Sequence, residues 1–115
     1  MPHAIFTNPQ IASVGYTEQE LKDKKINYAV GKYNYIYTGM GQAIEEKEGF
    51  VKILVEKSTG KILGCHIIGH EASTLIHEVI IAIKSGSGTI NNITNSVHIH
   101  PSLSEVVQRA ANSSI

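Results

Sequence analysis

The stretch from Gly49 to Lys84 restricts the possible folds more than any other part of the chain. Val51, Ile53 and Val55 alternate with Phe50, Lys52, Leu54 and Glu56, the period-two pattern of a strand with one face turned to a core. Lys57-Ser58-Thr59-Gly60-Lys61 is a turn, and Ile62 to Ile68 reads as the returning strand of a hairpin. A helix follows from about His70 to Ser85. Its Ala72, Leu75, Ile76, Val79, Ile80 and Ile83 fall at helical spacing and make a wide apolar face. A hairpin and an amphipathic helix each have one greasy side, and the simplest way to bury both is one against the other. Ile81 lies off that face beside His77 and Lys84, either as exposed aliphatic surface or as a contact with another subunit. Gly86 and Gly88 stop the helix.

The rest of the chain supplies further short elements. Ala4 to Thr7 is a brief apolar strand, Asn8-Pro9-Gln10 a turn, and Ile11 to Gly15 a second extended piece. Thr17-Glu18-Gln19-Glu20 has the spacing of a capping box and opens a helix of about two turns through Asp23 or Lys24. Between Asn27 and Tyr37, Tyr33, Tyr35 and Tyr37 recur at period two, so a strand there carries all three rings on one face, read as packing rather than a stacking platform. Thr38 to Gln42 is a flexible connection; its Gly-x-Gly lacks the third glycine of a phosphate-binding turn. Glu45 to Gly49 is a solvated charged turn. Thr89 to Ile93 reads as one more helical turn, Asn95 to Ile99 as an extended approach, and Asn112 to Ile115 as a frayed tail. The expected fold is a single α+β domain over residues 1–115, an antiparallel sheet of about four to five strands with helices packed on one face.

Composition removes several functional classes. The chain has 115 residues, enough for one domain with a real core. Ten basic residues balance ten acidic ones, so no electrostatic footprint argues for nucleic acid or an anionic membrane. No apolar run approaches the roughly 20 residues that span a bilayer, and the N-terminus lacks the pattern of a signal peptide. Cys65 is the single cysteine; no intrachain disulfide can form, and a reducing cytoplasm is the expected compartment. Its apolar setting suggests a buried strand thiol without reactivity.

Candidate chemistry concentrates between His98 and Arg109. Pro101 disfavours helix at His100, so the final helix should begin just after it. Ser102-x-x-Glu105 has capping-box spacing and puts a carboxylate on the first turn, where it can meet the His100 imidazole. A histidine oriented by a carboxylate is a recurring proton-transfer device, because the acid fixes the tautomer and stabilises the imidazolium. Spacing alone favours the plainer reading of a loop histidine beside a helix cap, because capping boxes far outnumber catalytic dyads. A metal site is a third reading. Six histidines are many for this length, and His98-x-His100 on a strand points both rings to one side. Against it, zinc usually takes three or four ligands, no Cys or acidic residue stands at the customary spacing, and nothing brings His66, His70 and His77 toward His98. No metal ligand is therefore assigned. A purely structural self-association module is the remaining reading.

The spelling His98-Ile99-His100-Pro101-Ser102-Leu103-Ser104-Glu105 closely resembles the C-terminal signature of the flavin- and pyridine-nucleotide-dependent disulfide oxidoreductases, most of all the dihydrolipoamide dehydrogenase branch. Phe6-Thr7-Asn8-Pro9-Gln10-Ile11-Ala12-Ser13-Val14-Gly15-Tyr16-Thr17-Glu18 resembles the segment that opens the interface domain of the same family. Gly49 to Ile53 and Leu63 to Gly69 extend the likeness over nearly the whole chain.

The resemblance implies a dimerisation domain whose FAD and NAD(P) domains lie outside this chain, so that the chain is a piece of a longer enzyme, Met1 is not its natural start, and none of these cofactors binds to it alone. It implies a homodimer with the active site between subunits. His100 is then the acid/base, Glu105 its orienting partner, and the His100-Pro101 bond cis, with backbone groups around both residues near the partner chain's flavin. Glutathione and trypanothione reductases share the histidine and glutamate. A mercuric reductase is expected to end in a cysteine pair, which Ser113-Ser114 does not provide.

Overall fold

The computed structural model describes residues 2–6 and 9–114. The expected end of the first strand at Thr7 and the start of the turn at Asn8 lie outside them, as do Met1 and Ile115. Among the described residues five strands form one antiparallel sheet: β1 (His3–Ile5), β2 (Ile11–Gly15), β3 (Tyr28–Asn34), β4 (Phe50–Glu56) and β5 (Ile62–Ile68), in the spatial order β1-β2-β5-β4-β3. The expected hairpin is β4–β5. Val51 faces Ile67 and Ile53 faces Cys65 across it, with a register shift between Leu54 and Val55. β2 adds on the far side of β5, setting Ala12 opposite Ile67 and Val14 opposite Cys65.

The alternation decides which face is covered. Ala12, Val51, Ile53, Val55, Cys65 and Ile67 point into one cluster with Leu75, Ile76, Val79, Val106, Val107 and Ala110. These last come from the two long helices, α3 (Ala72–Lys84) and α5 (Ser104–Ser113), reached after α1 (Glu18–Asp23) and α2 (Gly39–Ala43) and separated by α4 (Asn91–Thr94). α3 lies over β2 and β5, α5 over β3 and β4. Burying each Val, Ile or Leu side chain of this layer contributes about 1.5–3 kcal/mol. Asn92 of α4 donates to the carbonyls of Ala82 and Ser85, both at 2.9 Å, closing the end of α3. The short α1 has the expected capping box, Thr17 with Glu20. It serves the reverse face, where Glu18 accepts from Lys52 at 2.8 Å and from the Tyr28 hydroxyl at 2.9 Å.

Three stretches outside the candidate site depart from expectation. The tyrosine strand stops at Asn34, and Tyr35–Tyr37 turn in a single 3₁₀ turn, so the three rings do not share a face. Tyr35 is fully buried and donates to the His70 carbonyl at 2.9 Å, while Tyr37 is 67% exposed. Thr38 to Gln42 is no flexible connection: Thr38 caps α2 through the Gly41 N–H at 3.0 Å. A Cβ at Gly41 would come within 1.8 Å of the Tyr35 carbonyl oxygen, so this fold-back requires glycine. The C-terminus is not frayed up to Ser114. Ser113 is helical and its hydroxyl accepts from the Lys32 N–H at 3.0 Å, covering a group on the outer edge of β3.

Candidate active site

α5 brings Glu105 to the site. Val106, Val107, Ala110 and Ala111 are fully buried, which fixes the rotation of the helix and sets Glu105 at its N-terminal end, only 7% exposed. The capping box expected of Ser102 and Glu105 is half formed. Glu105 reaches back and accepts from the Ser102 N–H at 3.0 Å, but the Ser102 hydroxyl donates to the Ile99 carbonyl at 2.6 Å. The reason is one of register. The helix starts at Ser104 after Leu103, so Glu105 is its second residue rather than its third.

That register leaves the carboxylate free to serve His100. The His100-Pro101 bond is cis. The Nδ1 of His100 lies 2.9 Å from Oε1 and 3.0 Å from Oε2 of Glu105. A carboxylate only accepts, so Nδ1 carries the proton and the lone pair of a neutral ring sits on Nε2. The His100 side chain is 76% exposed while its partner carboxylate is 9% exposed, an arrangement that turns Nε2 outward. The hydrogen bond from His100 holds the Glu105 carboxyl below the usual carboxylate range; burial opposes the shift, while the Ser102 N–H and the charges of His100 and Arg109 support it. Chemically this is an oriented base: one nitrogen anchored, the other open. Pro101 lines a shallow groove with Met40, Ile44, Leu75 and Leu103.

The approach to this site is irregular rather than extended. Residues 95–101 form no strand. Val97 and Ile99 stand 99% and 77% exposed. Among the described residues none accepts from the backbone N–H groups of Val97, His98, Ile99 or His100. The rings of His98 and His100 consequently do not share a side. His98 turns inward, its side chain 5% exposed, with Nε2 on the Glu78 carboxylate and Nδ1 3.2 Å from the Ser96 carbonyl. No sequence signal pairs His98 with Glu78, twenty residues earlier. The other histidines stay apart. His66 is held by Ser13 and the Tyr16 carbonyl on the reverse face. Among the described residues no three His, Cys, Asp or Glu side chains stand together to hold a metal. Cys65 is buried within β5, and burial pushes its thiol far up from the ordinary range.

Comparison with known proteins identifies the family of the chain. Residues 1–111 match the family model described as pyridine nucleotide-disulphide oxidoreductase, dimerisation domain. Leghemoglobin reductase of Glycine max is 42% identical over 111 residues, covering 96% of this chain and 21% of that protein. Dihydrolipoyl dehydrogenase of Mycoplasma pneumoniae is 45% identical over 108 residues, 92% of this chain and 23% of that one. The fold overlays the crystal structure of LpdA from Mycobacterium tuberculosis with a TM-score of 0.89 and 27% identity, over 97% of this chain and 24% of that one. The chain thus spans about a fifth to a quarter of the relatives it matches. On the strength of a family match over nearly its whole length, joined to the antiparallel sheet and the histidine–glutamate couple at the head of its last helix, the chain belongs to the dimerisation-domain family of the pyridine nucleotide-disulphide oxidoreductases.

Proposed function

We propose that this domain serves a dihydrolipoamide dehydrogenase, pairing two subunits and lending His100 and Glu105 to the flavin and disulfide site of the opposite chain. The observation that carries this reading is the His100 ring, anchored through Nδ1–H on both oxygens of Glu105 with Nε2 turned to the open surface. A base that points away from its own domain acts on something another chain presents. The exposed Val97, Ile99 and Ile81 agree with closure against a second copy in a homodimer.

The open backbone donors along 97–100, next to apolar Val97 and Ile99, fit a surface that borders a planar heterocycle, with the backbone around His100 and Pro101 alongside FAD. When bound, FAD and NAD(P) supply the two-electron redox capacity that no side chain of this chain possesses. What His100 does is move a proton. The thiol of a dithiol gives its proton to Nε2, leaving a thiolate, the species that attacks a disulfide. Glu105 stabilises the resulting imidazolium across Nδ1–H, and Nε2 can later return the proton to a leaving thiolate.

The test is His100→Gln in the full-length flavoenzyme that carries this domain. The dithiol-dependent step should slow about 10²–10⁴-fold, the worth of a placed general base, with flavin still bound. Unchanged turnover would remove His100 from the reaction.

A further inference from the structure

We propose that His98 and Glu78 form a positioning clamp that holds the loop 95–101 so that His100 meets Glu105; the inference rests on the reading of His100 as the acid/base. Glu105 alone cannot place the imidazole. It fixes one end of the couple from α5, but the chain that delivers His100 has no strand partner, and its N–H groups from Val97 to His100 find no acceptor among the described residues. Two exposed aliphatic side chains, Val97 and Ile99, tie it to nothing within the domain. Left to itself, such a loop should sample many conformations.

The ends of the loop are tied locally, Ser96 back to Asn92 and Ile93 and the Ile99 carbonyl to the Ser102 hydroxyl; between them, His98 is the side chain that reaches α3. Its ring is nearly buried, and Nε2–H donates to the Glu78 carboxylate, while Nδ1 lies 3.2 Å from the Ser96 carbonyl without a second proton to give it in a neutral ring. The ring is thus tied to Glu78 through Nε2 and held in place by its burial. Glu78 in turn belongs to α3, whose Leu75, Ile76, Val79 and Ala82 are locked into the core over β2 and β5. The path runs from sheet to α3, from Glu78 to His98, and two residues on to His100. The acid/base is therefore located from two helices: α5 orients the ring through Glu105, and α3 fixes the backbone that carries it. His98 touches no reacting group in this scheme and is a positioning residue.

The clamp can be tested on this chain without flavin, by nuclear magnetic resonance of ¹⁵N-labelled protein. In Glu78→Ala and His98→Ala the heteronuclear Overhauser effects of the Val97 and Ile99 amides should fall toward those of a mobile loop. The share of His100 carrying its proton on Nδ1 should drop about threefold, the scale of coupling between neighbours in one network, while amides of the sheet keep their positions. His98→Gln, whose amide can still donate to Glu78, should restore both readouts. Unchanged loop order and tautomer in Glu78→Ala would overturn the clamp. So would His98→Gln behaving like His98→Ala, because the ring's bulk would then be what holds the loop. Should an alanine variant fail to fold, Glu78→Met keeps the stem and removes the acceptor, and decides between the same outcomes. If instead the clamp holds while His100→Gln leaves the flavoenzyme's turnover unchanged, the proposed function fails and this inference loses only its catalytic meaning.

Discussion

Gly31 of β3 lies directly beneath Ala110 of α5: a Cβ at position 31 would sit 2.0 Å from the Ala110 carbonyl oxygen and 2.9 Å from the Ser114 nitrogen. The helix that delivers Glu105 rests on bare backbone there, and the Ser113 hydroxyl meets the neighbouring Lys32 N–H. Backbone cannot yield as a flexible side chain does. Gly31→Ala should therefore lift α5 and cost about 1–3 kcal/mol of stability, the range for overpacking a close contact. Urea unfolding measures it; an unchanged midpoint would mean that the helix seat is softer than this contact implies.

Tyr35 gives a second stability test. Its ring is fully buried and its hydroxyl is held neutral by burial, donating to the His70 carbonyl. Tyr35→Phe keeps the packing and removes that donor. The expected loss is about 0.5–1.5 kcal/mol, the net worth of one hydrogen bond, read from the shift in denaturation midpoint. A loss well above that range would show that the hydroxyl also orders the turn leading into α3.

Much of this fold was legible because its signals are local and periodic. The β4–β5 hairpin, the buried stripe of α3 and the Thr17–Glu20 capping box each follow from spacing within one element. The misreadings occur where a distant contact decides. The tyrosines at 33, 35 and 37 alternate as a strand would, yet the burial of Tyr35 against the 70s loop outweighs the pattern and turns the chain at Asn34. Ser113 and Ser114 look like a polar tail, yet one caps an edge strand in a register no sequence window contains. The site divides in the same way. His100 and Glu105 lie five residues apart around a proline, so their meeting could be read in advance. Glu78 and His98 belong to separate elements that only the completed core brings together.

Cys65 should report unfolding and nothing else. It is fully buried in a central strand, and burial keeps its thiol protonated, so the nucleophilic thiolate is scarce and out of reach. Labelling with an aromatic disulfide reagent should proceed only as the molecule opens, accelerating with urea in step with global unfolding. Rapid labelling in native buffer would reveal an opening of β5 that the packed core does not suggest.

Glu105 predicts how the site responds to acid. Its folded pKa lies below the ordinary 4.5, first because of the hydrogen bond from His100. The unfolded chain therefore binds more protons at this residue than the native one once the pH nears 4.5, and native stability must fall as acid is added. Above that pH the contribution is present in full; below it, the contribution drains away as the pH drops through the folded pKa. Glu105→Gln has no proton to take up. The stability difference between the wild type and this variant should shrink as the pH falls below about 5, as thermal unfolding across a pH series would record. A difference that stayed constant down to pH 3 would mean that His100 does not hold the carboxylate in its ionised form, and the oriented base would lose its anchor.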